Sequence, residues 1–145
     1  LMIRPIWYYQ GRDLPAGMAS TIASFGNPAV WWAAIPAFFI AVRAAWKGSK
    51  SMFIVVIAVI TQMLPWMLIS RSSFIYHFFP MVPFMMLAVV YVIKQWIEKG
   101  RSRKVVYGYL GLVLALFILF YPAVSGLIVP ETYIRFLRWL PSWYF

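Results

Sequence analysis

Four long apolar stretches constrain this chain more than any other feature of its sequence. They are Pro28–Trp46, Met52–Ser70, Pro80–Ile97 and Val105–Val129. Each is close to the roughly 20 residues that an α-helix needs to cross a hydrocarbon core of about 30 Å. Lipid offers no hydrogen-bond partners, so only α-helices and closed β-barrels, which pair their own backbone polar groups, can span a membrane. The alternating pattern of a membrane strand is absent from these stretches. The sequence therefore predicts an all-α membrane protein with a four-helix transmembrane bundle.

The composition supports a membrane location. Hydrophobic residues make up 64% of the 145 residues and charged residues 11%, against roughly 45–50% and about 25% in soluble domains. So few charged side chains cannot cover a water-exposed surface, which excludes a soluble enzyme, a nucleic-acid-binding module and a disordered tail. The chain has no cysteine, which excludes a disulfide scaffold, a zinc ribbon and a thiol nucleophile.

The basic residues predict the orientation of the helices. Two short connectors, one after the first span and one after the third, hold most of the thirteen Lys and Arg residues: Arg43, Lys47, Lys50, Lys94, Lys99, Arg101, Arg103 and Lys104. Basic short loops stay in the cytoplasm, where they also contact anionic lipid headgroups. We therefore expect a multi-pass protein of the cell (plasma) membrane. Its interfacial lead-in (1–27), its Arg71–Phe79 connector and its tail (130–145) are expected to be extracytoplasmic.

The outward connector Ser70–Pro80 carries the candidate site. It contains Arg71, Tyr76 and the chain's only histidine, His77. A residue before proline is biased out of the α region, which predicts a break at Phe79 and places Pro80 in the first turn of the third helix. A guanidinium offers a planar fork of donors that suits a phosphate, and phenol and imidazole add further donors. These residues predict a site for a lipid-linked phosphate at the outer interface.

A simpler structural interpretation of this connector stays open. An arginine just past the end of a span commonly extends toward lipid headgroups, and a single histidine among aromatic residues commonly serves packing. Two further polar side chains, Thr61 and Gln62, lie in the middle of the second span, where such groups usually form hydrogen bonds across helices. Gly111 and Ala115 are spaced to allow a close helix contact.

The scarcity of acids limits what this chain can catalyse. Its only carboxylates are Asp13, Glu98 and Glu131. Arg12 flanks Asp13, and Glu131 lies near Arg135, so both acids are expected in solvated ion pairs. No convergent acid pair, metal cluster, Ser-His-Asp set or phosphate-binding glycine loop is apparent. We identify no catalytic residue and no cofactor or metal site, and expect this polypeptide alone to be inactive in a group transfer that needs a carboxylate base.

Four motifs occur in order and carry a resemblance: Arg4–Tyr9, Gly26–Trp32, Arg71–Pro80 and Trp139–Trp143. Together they resemble the C-terminal four-helix domain of the bacterial protein O-mannosyltransferases, which are glycosyltransferase family 39 of the GT-C fold. The similarity covers almost the whole chain. It implies that the domain is the C-terminal part of a longer enzyme, whose catalytic aspartate lies in the first outward loop of an N-terminal half.

The resemblance also implies the activity and the partners. Such an enzyme takes mannose from polyprenyl-phosphate-mannose and transfers it, with inversion, to Ser/Thr hydroxyls of exported polypeptides at the outer membrane face. By similarity, the segment containing Arg71, Tyr76 and His77 shapes the donor pocket beside the lipid phosphate. Two alternatives remain open from the sequence: a GT-C transferase for another sugar or acceptor, and a non-enzymatic four-helix membrane scaffold or transporter fragment.

Overall fold

Four long helices dominate the computed structural model. It describes residues 6–11, 14–68, 75–140 and 143, without the side chains of Trp7, Ile75 and Tyr76. The long helices are α1 (Pro28–Trp46), α2 (Lys50–Leu68), α3 (Val82–Glu98) and α4 (Arg103–Ser125). A 3-10 helix, Ile75–Met81, leads into α3, and a short α5, Glu131–Leu137, follows α4. By length and composition, four helices can cross a membrane, which confirms the predicted all-α, four-helix membrane fold.

Helix α1 matches its predicted span, whereas the other helices differ from theirs by up to four residues at their ends. Two of these differences have a clear physical cause. The predicted fourth span runs to Val129, but α4 ends at Ser125 because Gly126 adopts the left-handed conformation, with φ of 77°. The predicted break at Phe79 is absent, and the 3-10 helix continues through Pro80 to Met81. Residues three apart share one side of a 3-10 helix. Phe78 and Met81 are both buried, at 4% exposure. Burial of this side of the 3-10 helix offsets the tendency of Phe79, the residue before Pro80, to leave a helical conformation.

Helices α1, α2 and α3 pack into one unit around small side chains. Alanines line the inner face of α1 at helical spacing: Ala34, Ala37, Ala41 and Ala44 are all buried. They meet Val55, Val56 and Val59 of α2 and Ala88 of α3 in two adjoining clusters. Small residues let helix backbones approach closely, and close van der Waals contact is what holds helices together in lipid.

Helix α4 lies to one side of this unit and is packed mainly at its last turns. There Phe120 and Ala123 are buried with Ala23, Ile134 and Leu137. Four short strands, which the hydropathy pattern does not predict, complete this end of the structure. They are β1 (Ile6–Gln10), β2 (Met18–Ala19), β3 (Thr21–Ser24) and β4 (Val129–Pro130). β1 pairs with β3 and β2 with β4, both antiparallel, so parts of the predicted lead-in and tail are joined in one structure.

Within the described residues, Thr61 and Gln62 of α2 make no hydrogen bond to another helix. Thr61 is exposed, and its hydroxyl donates to carbonyls of its own helix, at 2.9 Å from Ile57 O and 3.1 Å from Ala58 O. Gln62 is also exposed. Gly111 and Ala115 of α4 are likewise exposed, with nothing in the described residues within 4 Å of a Cβ built on Gly111. The described residues therefore do not supply the partners expected at these four positions, and contacts with helices outside this chain stay a prediction.

Candidate functional site

The structure describes one of the three predicted site side chains. Arg71 lies outside the described residues, as do residues 69–70 and 72–74. Tyr76 is the second residue of the 3-10 helix, but only its backbone is described. His77 follows it and is half-buried. The convergence of Arg71, Tyr76 and His77 therefore stays a prediction, and the surroundings of His77 are the part of the site that geometry defines.

His77 lies against the indole of Trp66. The two ring centroids are 3.9 Å apart and the ring planes are inclined by 49°. Trp66 belongs to the last turn of α2, whereas His77 belongs to the 3-10 helix that leads into α3. This contact ties the imidazole to the end of α2 and restricts its orientation. A tryptophan near the end of a span is typical of an interfacial aromatic belt, and nothing local in the sequence shows that Trp66 meets His77.

An apolar cavity begins about one helical turn from this pair. Its volume is about 370 Å³, within the range of about 300–1,000 Å³ that is usual for small-molecule sites. Met63 lines it from α2, one turn before Trp66, and Met81 lines it from the 3-10 helix, four residues after His77. Trp31 and Phe38 of α1 form another wall. These side chains suit a hydrocarbon chain and provide no charge for a polar ligand.

The segment Gly26–Pro28 fixes the wall that α1 contributes. A Cβ on Gly26 would lie 1.6 Å from Nε1 of Trp31, so only glycine leaves room for this indole. Asn27 caps α1 by accepting a hydrogen bond from the N–H of Ala29 at 3.0 Å, as expected of this residue type. Its Nδ2 also donates to the carbonyl oxygen of Val113 in α4, at 2.8 Å. One short motif therefore starts α1, positions Trp31 and joins α1 to α4.

Aromatic residues of the tail close the cavity on another side. Leu140 and Trp143 line it together with Phe25. The Trp143 ring lies 5.8 Å from Phe25 and 5.9 Å from Phe120, centroid to centroid. Trp139 packs edge-on against Phe120 at 4.9 Å. Such aromatic pairs add to the stabilisation from buried area, so the tail is held against the residues that precede α1 and the last turns of α4.

The described charges lie away from His77 along the chain. Glu98 ends α3, at the opposite end of that helix from His77, and its carboxylate is 3.7 Å from Lys94. Glu131 accepts from Arg135 at 2.7 Å on the exposed side of α5, which confirms the predicted ion pair. Asp13 lies outside the described residues. Within the described part of the chain, no group of three His, Cys, Asp or Glu residues is placed to hold a metal ion.

Comparison with known proteins adds independent evidence. Residues 43–143 match the family described as the C-terminal four-transmembrane region of protein O-mannosyltransferase. A polyprenol-phosphate-mannose–protein mannosyltransferase of Corynebacterium glutamicum is 26% identical over 97% of this chain. Proteins of the same name from Mycolicibacterium smegmatis and Mycobacterium tuberculosis are 27% and 29% identical over 99% of it.

The matched region is a minor part of these relatives. The chain covers 30% of the Corynebacterium protein, 31% of the Mycolicibacterium protein and 30% of the Mycobacterium protein. No solved structure matches the chain significantly. The family match spans α2, α3, α4 and α5 in full, together with the end of α1. The four apolar helices, the ordered motifs and this match agree, and the chain belongs to the protein O-mannosyltransferase family, in which it corresponds to the C-terminal four-transmembrane region.

Proposed function

We propose that this chain is the donor-binding membrane domain of an enzyme that moves mannose from polyprenyl-phosphate-mannose to Ser/Thr hydroxyls of exported proteins. Family membership supports this proposal, as does the name shared by the relatives, which specifies a polyprenol-phosphate-mannose donor and a protein acceptor. The N-terminal half of the same enzyme supplies the remaining parts of the active site.

The observation that carries the proposal is the position of His77 beside an apolar cavity. A polyprenyl phosphate is an amphiphile, with an anionic head and a hydrocarbon tail. The half-buried imidazole lies in ring contact with Trp66, and the cavity wall begins one turn away at Met63 and Met81. In this arrangement Arg71, Tyr76 and His77 hold the phosphate, while the apolar cavity receives the first part of the hydrocarbon chain.

The chemistry requires charge stabilisation at the phosphate. As the bond from the anomeric carbon of mannose to the phosphate oxygen breaks, negative charge develops on the departing lipid phosphate. A preorganised donor aimed at that charge lowers the barrier, and Arg71 has this role. The acceptor hydroxyl forms the new bond to the anomeric carbon from the opposite face and gives its proton to a carboxylate. That carboxylate comes from the N-terminal half.

The orientation follows from the two basic connectors. The connector between α1 and α2 and the connector between α3 and α4 are both short, and both contain a glycine with positive φ, at Gly48 and Gly100. With antiparallel spans they share one side, which is cytoplasmic because basic loops are retained there. His77, the lead-in and the tail therefore face the outside of the plasma membrane, where exported acceptors arrive.

The test is donor turnover by the full-length enzyme with Arg71→Ala, measured as mannose transfer from the lipid donor to an acceptor peptide. We expect kcat/KM to fall about 10²–10³-fold, as when one transition-state donor is removed. Arg71→Lys should recover part of the activity, because a point charge does not reproduce the planar fork. Arg135→Ala, an exposed arginine of α5, is the matched control and should retain normal turnover.

Near-normal turnover by Arg71→Ala, with normal expression and membrane insertion, would show that the phosphate is held elsewhere. His77→Ala should weaken donor binding and raise KM for the lipid more than it lowers kcat. Competition by polyprenyl phosphates carrying other sugars distinguishes mannose transfer from transfer of a different sugar. A full-length protein that transfers no sugar from any such donor would instead favour the membrane scaffold.

A further inference from the structure

One face of α2 has the composition of a helix–helix interface but is largely exposed in the described part of the chain. Its members are Ala58, Thr61, Gln62 and Pro65, which lie side by side at helical spacing. The last three are exposed. The packed stripe of α2 includes Met52, Val55, Val56 and Val59. At 3.6 residues per turn it is centred about a third of a turn around the helix from this set, with Gln62 nearest to it and Thr61 farthest from it. We call the set Ala58, Thr61, Gln62 and Pro65 the polar face of α2.

The polar face lies near the centre of the membrane. Thr61 is eleven residues after Lys50, the first residue of α2, which places it about 16 Å along the helix at 1.5 Å per residue. This depth is near the middle of a hydrocarbon core of about 30 Å. A polar group that its own helix does not satisfy is costly in lipid at this depth, so such a group is expected to face other protein or a water-filled cavity.

Hydrogen-bonding capacity on the polar face remains unused. The Thr61 hydroxyl donates to its own helix, which leaves its oxygen as an acceptor. Pro65 has no N–H, so the Thr61 carbonyl lacks the donor that a regular helix would provide. The Gln62 amide offers two donors and an acceptor, and makes no hydrogen bond within the described residues. A partner of this face must therefore present hydrogen-bonding groups to three acceptors and the two Gln62 N–H donors within a small area.

An exposed stripe of α4 at the same depth differs in character. Leu114 is eleven residues after Arg103, the first residue of α4, and it is 58% exposed. Its exposed neighbours one turn away, Leu110 and Phe117, are also large and apolar. Such apolar side chains need no hydrogen-bond partner, so they can face lipid at no cost. Exposure alone therefore does not identify an interface in this domain, but exposure of hydrogen-bonding groups on α2 does.

We infer that the polar face of α2 packs against a transmembrane helix from the N-terminal part of the same polypeptide, one that carries a hydrogen-bonding side chain near its middle. More than two thirds of each relative's length lies outside the region that this chain matches, which provides the covalently linked partner. Small and polar residues are the usual means by which helices associate in lipid. The inference rests on the family membership and is independent of the site at His77.

The experiment places a benzophenone amino acid at Gln62, and separately at Thr61, in the full-length protein in native membranes. The matched control carries the same probe at Leu114. After illumination, crosslinked peptides and lipids are identified by mass spectrometry. We expect the probes on α2 to link to one membrane-embedded peptide of the N-terminal part, with at least a tenfold lower lipid-adduct fraction than the probe at Leu114.

Several outcomes would overturn the inference. Lipid adducts at Gln62 and Thr61 as abundant as at Leu114 would show that the polar face is exposed to lipid. Links to a second copy or to a different protein would assign another occupant, and absence of both lipid and protein adducts would indicate a water-filled cavity. The crosslinks do not depend on turnover, so this test and the Arg71 test can fail separately.

Discussion

Replacing Gly26 with alanine puts a methyl group where the indole of Trp31 now lies. A Cβ at this position would be 1.6 Å from Nε1 and 2.4 Å from Cδ1 of Trp31. Nonbonded heavy atoms pack at roughly 3.5 Å, so the ring must move by about 2 Å. Trp31 packs against the buried cluster around Ala34 and Val59, so this movement disturbs the core. Overpacking of this kind costs about 1–3 kcal/mol.

The matched control is the same substitution on an open surface. A Cβ at Gly111, inside α4, has nothing among the described residues within 4 Å, and alanine is favoured over glycine in a helix by about 0.5–1 kcal/mol. Gly26→Ala should therefore lower the unfolding temperature of the purified full-length protein, and Gly111→Ala should leave it equal or raised. The protein is heated in detergent to a series of temperatures, and the fraction that remains monodisperse is measured after each.

A double substitution separates the proposed cause from a general effect of Gly26. Trp31→Leu removes the indole, so Gly26→Ala should cost little in that background, as coupled neighbours behave in a double-mutant cycle. If Gly26→Ala unfolds at the temperature of Gly111→Ala, the indole does not lie over Gly26 and the account of this motif is wrong. An equal cost with and without Trp31 would point instead to the backbone conformation.

Two further substitutions test local features of the fold. Asn27→Ala should cost about 1 kcal/mol for the lost cap plus about 0.6 kcal/mol for the lost bond to Val113. Asn27→Ser keeps the cap and should cost only the second amount, so an equal loss of unfolding temperature in both variants would contradict the assigned roles. Glu131→Gln breaks an exposed pair with Arg135, so it should change stability by less than about 1 kcal/mol. A larger shift in unfolding temperature would show that this pair is buried in the complete protein.

The helices are visible in the sequence because their cause is local. Continuous apolar stretches in lipid must be helical, and Asn27 followed by proline predicts the start of α1 without any knowledge of its neighbours. Glu131 and Arg135 are four residues apart, so a single helical turn brings them together. The ordered motifs likewise indicate the family, which the match to residues 43–143 confirms.

Local sequence predicts less of the candidate site than of the helices. The sequence points to the connector that contains His77, but its partner Trp66 comes from a different helix. The cavity beside them takes its walls from α1, α2, α3, the 3-10 helix and the tail. No local pattern specifies which faces of separate helices meet, and Arg71 lies outside the described residues, so its place at the site stays a prediction.

The sequence alone determines that this chain spans a membrane four times, because hydropathy and helix length act over about 20 neighbouring residues. The tertiary structure decides what depends on distant residues. Strand β2, Met18–Ala19, exists only because Val129–Pro130 lies beside it, and a two-residue strand has no stability without its partner. Thr61 likewise has the same local sequence whether it faces a helix, water or lipid. Only the packing of α2 shows that Thr61 and Gln62 are left exposed by the helices described here.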